Sequence, residues 1–153
     1  MRNVCELISC MVKDYDPNGL DLYFTSSRKR YKPSGVSSLL EQLDAHPSRG
    51  VADMRERFGT IIDNYQQQFG KRTWKSVFLG TPKVPRKFTL YVFTDGVWQL
   101  KCNLIPTIKA LVRTLMEHGL PNKHVGIQFI RFGDDARGLA RLKELDSELN
   151  LDL

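Results

Sequence analysis

The chain has 153 residues, 41% hydrophobic and 26% charged, which suits one domain of ordinary soluble composition with a core of its own. No run approaches the ~20 apolar residues that cross a bilayer, so the composition excludes a membrane span. Three cysteines exclude a disulfide framework, and a net charge of +6 leaves negatively charged partners open.

Residues 4–13 place Val4, Leu7, Ile8, Met11 and Val12 at helical spacing, one stripe to bury. With Glu6 inside the stretch and an acidic exit, this start reads as an amphipathic helix and not a secretory leader. Free thiols in a cytoplasmic, reducing compartment are therefore expected. Cys5 and Cys10 stand about 140° apart on such a helix and do not converge on one ion.

Asp16-Pro17-Asn18-Gly19 is a turn, after which Leu20, Leu22 and Phe24 alternate with Asp21, Tyr23 and Thr25 as a strand. A basic loop follows, with Arg28, Lys29, Arg30 and Lys32 around Tyr31. A short helix is expected near 36–45, with Ser38 three residues before Glu41 as a capping box. Segment 51–69 sets Met54, Phe58, Ile61, Ile62, Tyr65 and Phe69 on one helical face that ends at Gly70.

Residues 71–86 are basic, hold Pro82 and Pro85, and form a surface connection. Phe88 to Phe93 is a nearly continuous apolar run, as in a strand covered on both faces, and stops at Thr94-Asp95-Gly96. The next helix starts near Asn103 with Pro106 in its first turn, where a missing N–H costs little. Its stripe is Leu104, Ile108, Leu111, Val112 and Leu115, and it closes at Gly119 with Pro121 beyond. Val125 to Phe132 is a strand, and 136–149 a leucine-bearing helix. Strands alternating with helices predict one α/β domain over residues 1–153. Its architecture is three-layer, a mainly parallel sheet with helices on both faces.

In an open parallel sheet, ligands bind beyond the carboxyl ends of the strands. Thr25-Ser26-Ser27, Thr94-Asp95-Gly96 and Gly133-Asp134-Asp135 fall there, and their oxygens suit a hard cation such as Mg²⁺ centred on Asp95. Each also has a plain structural role. Asp134 or Asp135 caps the last helix, Ser26 and Ser27 open a polar loop, and Asp95 makes a turn with Gly96. His46, His118 and His124 stand in no zinc motif. No GxSxG, GxxxxGKS or GxGxxG motif is present, and no base is placed near Cys10 or Cys102. The basic cluster around Tyr31 fits either a phosphate grip or a solvated loop.

Phe93-Thr94-Asp95-Gly96 closing an apolar strand resembles the strand and TDG loop of von Willebrand factor type A domains. The run from Gly126 to Asp135 (GIQFIRFGDD), followed by Leu142-Lys143-Glu144-Leu145-Asp146, resembles the ending of an intracellular fungal branch of that family. Asn18 to Phe24 resembles its second strand. Arg49-Gly50-Val51-Ala52-Asp53-Met54, leading to Ile61-Ile62-Asp63-Asn64-Tyr65, resembles its second metal loop and following helix. Together these segments span nearly the whole chain.

The resemblance implies a Rossmann-like sheet and a metal-ion-dependent adhesion site made from DxSxS after the first strand, a Thr in the second loop and an Asp in the third. It places DxSxS upstream of Met1, so the central first strand is missing. Residues 20–25 and 88–94 would then flank a slot one strand wide, near ~10 Å. Such a chain is expected to be marginal, aggregation-prone, or completed by a strand from another chain. Val51 stands where the family has its hydroxyl ligand, and a valine cannot coordinate a cation. Thr94, Asp95 and Gly96 are then vestigial metal-loop positions, since one carboxylate does not hold Mg²⁺ against water. The expectation is a non-catalytic protein-interaction module with no metal, no cofactor and a protein partner. Two alternatives stand beside it. One is a basic module that binds nucleic acid or acidic partners through Arg28, Lys29, Arg30 and Lys32. The other is a Mg²⁺-dependent enzyme built on Asp95 and Asp134.

Overall fold

A computed structural model describes residues 2–13, 20–47, 51, 53–69, 85–99 and 101–149. The turn at Asp16 to Gly19, the helix stop at Gly70, the basic connection up to residue 84, and Arg49, Gly50 and Ala52 lie outside the described residues. The chain forms two compact units, Met1–Asp53 and Met54–Leu153.

In the first unit, helix α1 (Arg2–Lys13) packs on helix α2 (Val36–Ala45), and strands β1 (Leu22–Tyr23) and β2 (Arg30–Tyr31) pair between them in sequence. The expected stripe on α1 is corrected. Cys5 and Ser9 are the buried pair, while Leu7 and Met11 are 60% and 58% exposed. The Ser9 hydroxyl donates to the Cys5 carbonyl one turn earlier at 2.7 Å, which satisfies it within the helix. Burial pushes the Cys5 thiol up, which keeps it protonated and unreactive.

The parallel strand expected over 20–25 is also corrected. β1 is two residues long and runs antiparallel to β2, with Leu22 opposite Tyr31 and Tyr23 opposite Arg30. The basic loop therefore contains a strand, and Thr25 and Ser26 form the turn before it, closed by Ser27 N donating to Phe24 O at 3.3 Å. Helix α2 has the predicted extent, but Gly35 is its N-cap, with no side-chain cap bond. Ser38 lies inside the first turn, too late to cap it.

In the second unit, helix α3 (Met54–Gln66) buries Met54, Phe58, Ile61, Ile62 and Tyr65, as the periodicity requires. Strand β3 (Phe88–Thr94) pairs in parallel with β4 (Val125–Arg131), in register from Phe88 opposite Val125 to Thr94 opposite Arg131. Helix α4 (Ile105–Glu117) is the crossover between them. Asn103 Oδ1 accepts from Ile105 N at 2.9 Å to open α4. Gly119, at φ +65°, closes it while Leu120 N returns to Leu115 O at 2.9 Å. A single turn, Asn122–His124, leads into β4. Its His124 is buried, with Nε2 donating to the Pro85 carbonyl at 2.9 Å. Helix α5 (Ala136–Glu148) follows β4.

The core is a single cluster in which α3, α4 and α5 meet one face of the ladder. Ile62, Leu104 and Leu111 are its fully buried centre. Phe88, Leu90 and Val92 of β3 and Val125, Ile127 and Phe129 of β4 join it, and the register puts all six on the same side. Phe88 stacks on Tyr65 at 5.0 Å, and Phe129 on Phe58 at 6.4 Å. Within this unit the packing is thus sheet against helices, a mixed α/β arrangement with one parallel pair. No helix among the described residues is long and apolar enough to cross a membrane.

Candidate functional site

The loop at the carboxyl end of β3 is the predicted metal-loop position, and its polar groups are engaged within it. Thr94 Oγ1 accepts from Gly96 N at 3.0 Å and from the Trp98 indole Nε1 at 2.7 Å. Asp95 is exposed, and its Oδ1 accepts from Val97 N at 2.9 Å, an Asx turn of the kind expected for Asp before Gly. Gly96 has φ +79°, a left-handed conformation that favours glycine.

Two glycines bring this loop against α5. A Cβ on Gly96 would come within 2.6 Å of the Gly138 carbonyl oxygen. One on Gly138 would overlap the Asp95 carbonyl oxygen and sit 3.3 Å from Gly96 Cα. The loop backbone and the first turn of α5 therefore touch directly, with no side chain between them. Arg141, one turn further along α5, donates to Trp98 O at 3.3 Å and Gln99 O at 3.1 Å, and its guanidinium lies 5.9 Å from the Trp98 ring centroid. Trp98 is buried and packs 6.0 Å from Phe129. Trp98, Gly138 and Arg141 are the residues that sequence reasoning missed here. An isolated glycine inside a helical pattern was the available signal.

Asp135 caps α5, accepting from Arg137 N at 2.8 Å. The Arg137 guanidinium pairs with the same carboxylate at 2.8 Å, and these bonds hold Asp135 at about 2, down from 3.8. Asp134 is exposed. Of the two predicted edge segments in this unit, the structure gives one to turn formation and the other to a helix cap. Among the described residues, no three of His, Cys, Asp and Glu converge as a metal ligand set. An apolar recess of about 440 Å³ between α4, β4 and α5 has Asp146 as its one charged lining residue and includes none of Thr94, Asp95 and Gly96.

The basic hairpin of the first unit is built differently. Arg30 forms a bidentate pair with Asp21, at 2.7 Å from Nε and 2.5 Å from Nη2, which raises the guanidinium pKa further. Tyr31 lies edge-on to Phe24 at 5.6 Å and to His46 at 4.9 Å, while Phe24 and His46 stack face to face at 4.2 Å. Tyr31 Oη contacts Ser27 Oγ at 3.2 Å and His46 Nε2 at 2.9 Å. Sequence reasoning singled out the cations but not His46, whose place against Tyr31 depends on a contact 15 residues apart. No protein-family model, curated protein or solved structure matches the chain.

Proposed function

We propose that the chain is a von Willebrand factor A-like domain that serves as a non-catalytic protein-interaction module, without a working metal-ion-dependent adhesion site. The observation that carries this reading is the bonding of the Thr94-Asp95-Gly96 loop. Its hydroxyl accepts two internal donors, its carboxylate accepts the Val97 N–H, and among the described residues it belongs to no group of three or more His, Cys, Asp and Glu that could hold a metal. A hard cation gains little from one carboxylate already serving a turn. Val51, more than half exposed, supplies no oxygen at the second-loop position of the resemblance.

The same proposal includes the full three-layer architecture, with helices on both faces of a mainly parallel sheet. It is supported by the β3–α4–β4 crossover unit. A further support is the ladder face that bears Tyr91, Phe93 and Ile130, which lies outside the core cluster and needs a cover of its own. Calorimetric titration with Mg²⁺ and with Mn²⁺ tests the reading, and no saturable heat is expected. A saturable heat that Asp95→Ala abolishes would overturn it.

A further inference from the structure

Ser27, Tyr31 and His46 form a hydrogen-bond chain whose direction follows from its two ends. The Gln42 carbonyl only accepts, so His46 Nδ1 carries the proton at their 2.9 Å contact, and Nε2 of the neutral ring is bare. Tyr31 Oη therefore donates to Nε2 and accepts from Ser27 Oγ. Ser27 Oγ in turn accepts from Lys29 N at 3.2 Å. Every proton in the chain points inward toward α2, and Ser27 offers no donor to solvent. A proton added at Nε2 reverses both hydroxyls. Tyr31 must then accept from the ring, its own proton turns to Ser27 Oγ, and the Ser27 proton turns outward. No proton is lost along the chain, and the one gained at the ring is matched by an outward O–H at the loop.

We propose that this hairpin binds a tetrahedral oxyanion of the phosphate-monoester class, and that protonation of His46 strengthens the site by turning the Ser27 hydroxyl outward. The hairpin carries Arg28, Lys29, Arg30 and Lys32 against the single acid Asp21, and α2, the other element packed on the ring, carries Glu41 and Asp44. The ring itself touches neutral groups: the Phe24 face, the Tyr31 hydroxyl and the Gln42 carbonyl. An imidazolium stacked on the Phe24 face gains from the ring quadrupole. Asp21 holds Arg30 along the strand, which keeps the loop in shape for a small ligand. Single-stranded nucleic acid fits less well. Tyr31, the loop aromatic, has its ring packed edge-on by Phe24 and His46 and its hydroxyl bonded, so it offers no stacking platform for a base. By linkage, an anion bound at the loop raises the proton affinity of His46 by the same factor that the proton raises anion affinity.

The test titrates the full chain with sulfate at about pH 5.5 and about pH 8, following the backbone amides of residues 27–31 by NMR. Sulfate is a dianion at both values, so a change in affinity belongs to the protein. Binding about tenfold tighter at the lower pH is expected, the value of one added hydrogen bond to a charged group. Tyr31→Phe keeps the ring and cuts the relay, and should reduce that ratio to roughly twofold, the effect of an exposed ring charge alone. Ser27→Ala, which removes only the hydroxyl, should reduce it to the same extent and gives an independent answer. Phosphoserine should match sulfate at about pH 8, where both are dianions. An equal pH ratio in wild type, Tyr31→Phe and Ser27→Ala would overturn the proposal. So would an oligothymidylate that binds more tightly than either small anion at both pH values, the mark of a general polyanion surface.

Discussion

Replacing Gly138 with alanine sets two known effects against each other. Alanine is favoured over glycine in a helix interior by roughly 1 kcal/mol. Gly59, inside α3, shows that gain without opposition, since a Cβ there meets nothing within 4 Å. At Gly138 the added carbon overlaps the Asp95 carbonyl and crowds Gly96 Cα at 3.3 Å, and both are backbone atoms that cannot rotate away. Relief requires the loop to move off α5, which pulls Trp98 from Arg141 and strains the bonds at Thr94. Overpacking of this kind costs about 1–3 kcal/mol and here exceeds the helical gain. Gly59→Ala should therefore raise the urea midpoint and Gly138→Ala lower it, with about 2 kcal/mol or more between them. At an m-value of roughly 1–3 kcal/mol/M, that separates the midpoints by on the order of 1 M. A Gly138→Ala protein as stable as Gly59→Ala would refute the direct backbone contact between the loop and α5.

Thr94→Val keeps the side-chain shape but leaves the buried Trp98 indole N–H without its acceptor, at a cost of about 1–3 kcal/mol in urea unfolding, while Thr94→Ser should stay near wild type. Asp95→Ala loses one exposed turn bond and should change stability by no more than about 1 kcal/mol, and a larger loss than Thr94→Val would contradict the roles assigned to the two residues. Asp135 is held at about 2 against 3.8, so it favours the folded state above the unfolded value, and this contribution fades as pH falls from about 3.8 toward 2. Asp135→Asn keeps a capping oxygen and should flatten stability in that window. An undiminished acid loss in the variant would assign it to other carboxylates.

The long periodic elements were legible because burial alone decides them. The apolar residues of α3 and α4 recur at helical spacing, and Phe88 to Phe93 and Val125 to Ile130 are short apolar runs that form the strands of one parallel pair. The Asx turn at Asp95 and the cap at Asp135 followed from residue type and local spacing. The first unit was harder to read. Its helix α1 carries Val4, Leu7, Ile8 and Met11 on one side, so periodicity points to that face, yet Cys5 and Ser9 at the edge of the stripe are the buried pair while Leu7 and Met11 are exposed. Alternation over Leu20 to Thr25 fits a parallel inner strand as well as a two-residue hairpin arm, and only the partner at Arg30 and Tyr31 decides. At the sheet end, Gly138 and Arg141 lie about 40 residues from the loop they hold, beyond the reach of any local pattern.

The placement of α4 and α5 also limits where a ligand could meet Asp95. In open α/β sheets a crevice opens where neighbouring strands send their following helices to opposite faces. Here β3 and β4 are direct neighbours, and the helices that follow them, α4 and α5, contribute Ile108, Leu111, Leu115 and Leu145 to one cluster on one face. The carboxyl ends of the two strands are closed together as well, with Phe132 N donating to Thr94 O at 2.8 Å and the loop backbone seated on Gly138. No switch point lies between β3 and β4. A ligand of the Asp95 carboxylate must therefore approach from the side of β3 away from β4, and a partner that contacts Asp95 should be blocked by substitutions on that side and unaffected by substitutions on the exposed face of α5.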